Sequence, residues 1–572
     1  MFRLEEVDFF SPKIYKMKKA LQCLLFVISV LPVYAQWSNN PGINRLVSNR
    51  IGAEYEPVSI TDGANGSILF FIDNTSNGDI FAQKITSSGT IAWGGTSIPV
   101  PISVTTSEKF GLEVIADGSG GAFIAWSDNR HDPIVAEIYL QKLNSAGIVQ
   151  WAANGLRVTS NTAQDDLLPQ MCLDGAGGVI VTWYGDDSTT ENIQAYAQRF
   201  NGSGIAQWVA GGVQVCTAGG FRAPSGIVAD GSNGAIILLL DTRNDPNGFN
   251  YVFLNNNNLT NSDIYGQRLN GAGNLQWTAN GAAIITASKN QNGDLQSGFA
   301  IPDGSGGIIF AFDDERNDDG SITNIDLFAQ RVNGIGTPLW AANGVAVSAA
   351  SGNQFLSGIV PDGAGGLIAS IDYQDIFRLY AQRITAAGAP SWAVNGVPVS
   401  EVGDQITEAS LTADGSGNTI FAFRSFSTNI LKAQKLNSAG VLQWATAGAT
   451  ICNNDFAFAN SPTIVSSDAG SAIISWSDYR NVALLSGQDI FASKVLTNGF
   501  LAGAVSGFAT IANGNWNNPA IWAGGVVPPA GAFVQIRHAV IANVNASCAT
   551  LNIAQPGGNL TVLNGIIISV GN

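Results

Sequence analysis

The chain has 572 residues, enough for three or four average domains or for one large repeat array with an appendage. Only 12% of the residues are charged, 66 are glycine and 45% are hydrophobic, a balance that excludes both a disordered chain and a charged coiled coil. The 27 Lys and Arg stand against 43 Asp and Glu, a net charge of −16 with no compact basic patch, which repels phosphate backbones and excludes a nucleic-acid binder.

In chain order the first expected element is a leader. Lys13, Lys16, Lys18 and Lys19 precede an apolar run from Ala20 to Ala35 that closes on Val33-Tyr34-Ala35. A basic stretch, a short apolar stretch and a small-residue boundary predict a secretory signal peptide over residues 1–35, with 1–16 an over-long start ahead of Met17. No later segment is apolar for the ~20 residues that a membrane helix needs, so no transmembrane span is expected after cleavage. The expected location is extracellular or on the outer cell surface. Cys172, Cys216, Cys452 and Cys548 then remain, too few for a disulfide scaffold. With His131 and His538 as the only histidines, a zinc site of His and Cys is not expected.

From residue 36 to about 505 the chain repeats itself. Asp-Gly turns recur at Asp62, Asp117, Asp174, Asp230, Asp303, Asp362 and Asp414, with a degenerate copy at Asp468, spaced 52 to 73 residues apart. A tryptophan recurs at Trp37, Trp93, Trp151, Trp208, Trp277, Trp340, Trp392 and Trp444, and a glutamine at Gln83, Gln141, Gln198, Gln267, Gln330, Gln382 and Gln434, with Ser493 in the eighth copy. Within residues 111–160 the pattern predicts four strands, Leu112–Ala116, Gly121–Trp126, Glu137–Leu143 and Ile148–Val158, the last bulged at Asn154-Gly155. Repeated four-stranded units without helical periodicity predict an all-β protein, an eight-bladed β-propeller. The chain enters on a tryptophan strand at Gln36-Trp37 and leaves the repeat without one, so the N-terminal strand is expected to complete the last blade and remove its open edge.

One unit contains Asp117-Gly118-Ser119-Gly120-Gly121, Trp126-Ser127-Asp128-Asn129-Arg130 and Gln150-Trp151-Ala152-Ala153-Asn154-Gly155. These motifs resemble repeats in large proteins secreted by Bacteroidota-type bacteria, many through the type IX system, and the resemblance covers roughly residues 36–505. It implies a location more than an activity. Residues 506–572 differ: Gly514-Asn515-Trp516-Asn517-Asn518-Pro519 and Trp522-Ala523-Gly524-Gly525 resemble the lead-in to short β-helical segments of the same class. Brief strands follow, predicting an incomplete β-solenoid whose last coil has no polar cap, as in a truncated record.

Binding is expected where loops vary, on the face carrying the connections between strands two and three and between blades. The candidates there are Asp165, Asp166, Phe249, Tyr251, Asp318 and Asp319. Asp-x-Arg recurs as Asp128/Arg130, Asp241/Arg243, Asp314/Arg316 and Asp478/Arg480, with Asp73 alone in the first unit. A sialidase-like carboxylate clamp would come with Asp-box turns of the form Ser-x-Asp-x-Gly-x-x-Trp, which this repeat does not spell, so the pairs read as structural. No catalytic, cofactor or metal motif is found; the acidic clusters suggest calcium at most, without a supporting loop pattern.

The expectation is therefore a monomeric, non-enzymatic scaffold for binding or adhesion to a glycan or cell-surface protein. The alternative is a carbohydrate-active enzyme or lectin with its site on the variable-loop face. Carboxylates around the central funnel would favour the enzyme; a funnel of Gly, Ala and Ser would favour the scaffold.

Overall fold

The computed structural model describes residues 37–570, apart from 49, 51, 75–77, 95–97, 160–163, 188–191, 219, 246–260, 293–298, 319, 321–323, 454–459, 481–486, 504–507, 523–526, 529–531 and 554–556. The expected leader, residues 1–35, lies outside the described residues.

The chain forms eight antiparallel blades arranged in a ring, a β-propeller. Blade 1 runs Glu54–Thr61, Ser67–Asp73, Asp79–Ile85 and Val100–Ser103 in spatial order. The other inner strands are Lys109–Ala116, Asp165–Leu173, Arg222–Ala229, the split pair Gln291–Asn292 and Ala300–Pro302, Gln354–Pro361, Ile406–Ala413 and Asn460–Ser466. Blade 8 is completed from the other end of the chain: Arg45–Ser48 pairs antiparallel with Asp489–Val495, matching Arg45 to Ala492, Leu46 to Phe491 and Ser48 to Ile490. Ser59 of blade 1 and Thr463 of blade 8 meet at 2.6 Å between their hydroxyls, so the inner strands close the ring.

The repeated residues are the joints of this ring. Each Asp-Gly aspartate folds its own hairpin, as Asp117 Oδ1 accepts the backbone N–H groups of Ser119 and Gly121. Each repeat glutamine replaces a strand ladder: Gln141 donates to the Ala152 carbonyl and accepts from the Trp151 N–H. For that reason the expected strand Ile148–Val158 is shorter in the structure, a single bridge from Val149 to Leu143 followed by Leu156–Arg157. Asn154 and Gly155 between them adopt positive φ of 62° and 95°, and a Cβ on Gly155 would lie 2.4 Å from Trp126.

The tryptophan joins one blade to the next. Trp93 Nε1 donates to the Ser145 carbonyl in the hairpin of the following blade, and Trp151, Trp208, Trp277, Trp340, Trp392 and Trp444 repeat the contact onto Gly202, Gly271, Gly334, Ala386, Ser438 and Thr497. Trp37 supplies the eighth joint by donating to the Ser87 carbonyl of blade 1. A glycine sits on the indole because there is no space for more: a Cβ on Gly147 would lie 2.7 Å from the Trp93 ring.

Beyond the blades the pairing changes from antiparallel to parallel. Phe508–Ala509, Ala532–Ile536, Ala546–Ile553 and Ile568–Val570 form one parallel sheet, and Gly514–Asn515, Ala539–Ala542 and Asn559–Val562 a second. The chain alternates between the two sheets around a small core that includes Trp516, Ile521, Trp522 and Val540, with the two indoles edge to face at 5.1 Å. No helix among the described residues is long and apolar enough to cross a membrane. Cys172, Cys216, Cys452 and Cys548 are buried, and no disulfide joins them among the described residues.

Candidate functional site

The Asp-x-Arg pairs stand at the end of the second strand of their blades, on the variable-loop face. Asp128 accepts from Trp126 Nε1 at 3.1 Å, from Ser107 Oγ at 2.6 Å and from the Arg130 guanidinium. Burial works against its charge, yet the hydrogen bonds from Arg130, Ser107 and Trp126 outweigh it and hold the carboxyl below the usual range. Arg130 lies 3.7 Å over the Tyr139 ring, and Arg243, Arg316 and Arg480 cover Tyr265, Phe328 and Phe491 in the same way. Arg243 and Arg316 also donate to the Asn280 and Asn343 carbonyls, the bulge asparagines of their own blades. Asp73, alone in its repeat, takes its arginine from the N-terminal segment: Arg50 Nε donates to it at 2.8 Å and covers Phe81 at 3.9 Å. These guanidiniums are engaged on an aromatic face and a carboxylate at once.

The described candidate binding residues are Asp165, Asp166 and Asp318, the first two on blade 3 and the third on blade 5. Asp166 is buried and accepts from Trp183 Nε1 at 3.0 Å; burial pushes its carboxyl up to about 7. Asp165 Oδ1 accepts the Ala136 N–H at 2.7 Å, linking blade 3 to blade 2. Asp318 accepts the Gly320 N–H and lies 3.8 Å from Lys289 Nζ. Phe249, Tyr251 and Asp319 lie outside the described residues.

A different set of residues forms a concave polar site. The inner strands carry a bulge near their variable-loop ends, for example between Tyr55 and Val58, Ile406 and Glu408, and Asn460 and Thr463. Between blades 5 and 8 this irregularity leaves a pocket of about 430 Å³ lined by Phe299, Ser357, Asp372, Ile406, Glu408, Ala409, Ser461 and Pro462. Asp372 is half-buried and its Oδ1 is enclosed without a hydrogen-bond partner; burial alone pushes the carboxyl up to about 6. Glu408 instead accepts the backbone N–H of Ser461, whose positive φ of 49° turns that donor inward. Two carboxyls in different surroundings thus line one pocket, the groups that general acid–base chemistry uses. Ser357 and Ser461 bring hydroxyls and Phe299 an apolar ring to the same walls.

Sequence reasoning did not single out Asp372 or Glu408. A signal existed in the alignment of the repeats with one another. The position before the strand-end residue is Ile72, Ser127 and Leu240 in blades 1, 2 and 4, but Asp313, Asp372 and Arg424 in blades 5 to 7. Charged residues replacing uncharged ones in consecutive copies mark a departure from the scaffold.

No family model and no curated protein matches this chain. Among solved structures it is similar to a puromycin hydrolase at 14% identity and a TM-score of 0.41, over 78% of this chain and 61% of that one. It therefore spans about three fifths of that protein's length. It is also similar to the polysaccharide lyase Uly1, at 8% identity and a TM-score of 0.42 over 71% of this chain and 95% of that one. A third is the GH93 α-L-arabinofuranosidase of Fusarium graminearum, at 10% identity and a TM-score of 0.32 over 69% and 96%. The expectation of a non-enzymatic adhesion scaffold is corrected here, because these similar structures are enzymes. At such identities they assign no reaction, which must come from the residues of this chain.

Proposed function

We propose that the protein is a carbohydrate-active enzyme whose acid and base are Asp372 and Glu408, in the pocket near the variable-loop ends of the inner strands. The observation that carries this reading is an enclosed, unpartnered Asp372 carboxyl pushed up to about 6 in the same pocket as a Glu408 that accepts a backbone N–H. Asp372 is the proton donor to a leaving oxygen and Glu408 the group that accepts a proton or stabilises positive charge. The Phe299 ring and the serine hydroxyls suit a sugar, which presents an apolar face and hydroxyl edges.

The test is cleavage of a panel of plant and algal polysaccharides, read as new reducing ends and as unsaturated products. Asp372→Asn and Glu408→Gln are expected each to lower turnover by about 100-fold or more, the usual contribution of a general acid or base, with melting curves like wild type. Retained turnover in both variants would overturn the assignment.

The reading extends to three further points. Secretion through a signal peptide over residues 1–35 is supported by the basic-then-apolar N-terminus and by the resemblance of the repeats to type IX-exported proteins. The Asp-x-Arg pairs are structural, supported by their stacking on blade aromatics. The parallel strands after residue 507 are coils of a short β-solenoid, supported by their alternation between two sheets.

A further inference from the structure

A second pocket lies on the opposite face, where the hairpin of blade 8 meets the parallel sheets. Its volume is about 290 Å³, and its walls include Trp444, Asn498, Phe500, Gln535, Arg537 and Asn552. In a chain with 43 acidic and 27 basic side chains, a cation ordinarily finds a carboxylate, and the repeat arginines do so. Arg537 does not. Its Nε donates to Gln535 Oε1 at 2.7 Å and its guanidinium lies 4.6 Å over the Phe500 ring, while no carboxylate among the described residues pairs with it. The group is half-buried, and burial weakens its hold on its proton. A partly desolvated guanidinium whose outer nitrogens have no acceptor among the described residues is a site for a ligand anion. The other walls are amides from Asn498, Gln535 and Asn552 beside the Trp444 and Phe500 rings, which match the hydroxyls and apolar face of a sugar.

We infer that this pocket binds an acidic saccharide, with the sugar carboxylate on Arg537 and the ring against Trp444 and Phe500. The site is distinct from the Asp372–Glu408 pocket and shares no residue with it. It would hold an acidic polysaccharide against the molecule while the variable-loop face remains free.

Digalacturonate titrated calorimetrically into the full chain at low salt tests this, with maltose as the neutral control. Saturable binding of digalacturonate is expected, at least about ten-fold tighter than of maltose, weakening as salt is raised. Arg537→Met removes the guanidinium and is expected to weaken binding at least about ten-fold. Asn552→Asp, at an exposed position, places a like charge on the wall and is expected to weaken binding of the acidic sugar but not of maltose. The inference is overturned if digalacturonate gives no saturable binding, if maltose binds equally well, or if binding is unchanged in Asn552→Asp and in Arg537→Met.

Discussion

Ring closure is the feature most open to a quantitative test, and Trp37→Ala is the sharpest perturbation. Trp37 is 5% exposed in an apolar cluster that straddles the ends of the ring: Leu69, Phe71, Phe81 and Ile85 from blade 1, and Val465, Ile473, Ile490 and Ala492 from blade 8. Truncating a buried aromatic costs about 3–5 kcal/mol, from lost transfer energy and the cavity left behind. The Ser87 carbonyl also loses the indole N–H, a further ~1 kcal/mol if water does not replace it. The closing strand Arg45–Ser48 has only three matched pairs with Asp489–Val495, together with Asn44 bonds to Ile451 and Ser493, so Trp37 is a large share of what holds the segment. A loss of this size frees the strand edge of blade 8. Urea denaturation followed by fluorescence is expected to show a loss of about 4 kcal/mol. Limited proteolysis is expected to cut between residues 37 and 53 before any cut inside blades 2 to 7. Trp208→Ala, which removes the same contact from an internal joint, is expected to cost stability without opening the N-terminal segment. If Trp37→Ala leaves both the denaturation midpoint and the cleavage order unchanged, the closure argument is wrong.

Arg130→Ala removes the partner of a buried carboxylate and the cover of Tyr139, and is expected to destabilise by about 1–3 kcal/mol in denaturant titrations. Arg50→Ala should do the same for blade 1, because Asp73 has no arginine in its own repeat. Gly147→Ala drives a Cβ into the Trp93 ring at a φ of 79°, with an expected cost of about 1–3 kcal/mol in the same assay. Stability is also expected to fall with rising pH. Burial raises Asp372 to about 6, Asp166 to about 7 and Glu54 to about 8. The folded state therefore binds protons that the unfolded chain has released above pH ~4, and the stabilisation is lost as pH climbs through those values. A melting temperature higher at pH 5 than at pH 8.5 is expected, because carboxyls held low by arginine, such as Asp128, titrate below this window; Glu54→Gln should flatten the slope.

Much of this architecture was legible in the sequence because a repeat reports its own contacts many times over. Eight tryptophans, seven glutamines and a run of Asp-Gly turns in constant order specify hairpins, joints and blade count, since each contact recurs in the same order from blade to blade. Even closure could be read from the phase at which the chain enters and leaves the repeat. The pocket could not. Phe299, Asp372, Glu408 and Ser461 come from four different blades, and no spacing along the chain brings them together; only the ring places their inner strands side by side. The same holds for Arg50, which fills a gap in blade 1 only because the N-terminal segment returns to it. Local patterns determine what each blade is, through turn geometry and burial that act within some 50 residues. What faces the pocket, and which carboxyl loses its water, depends on neighbours far apart in the chain, from Phe299 to Pro462, and only tertiary packing decides that.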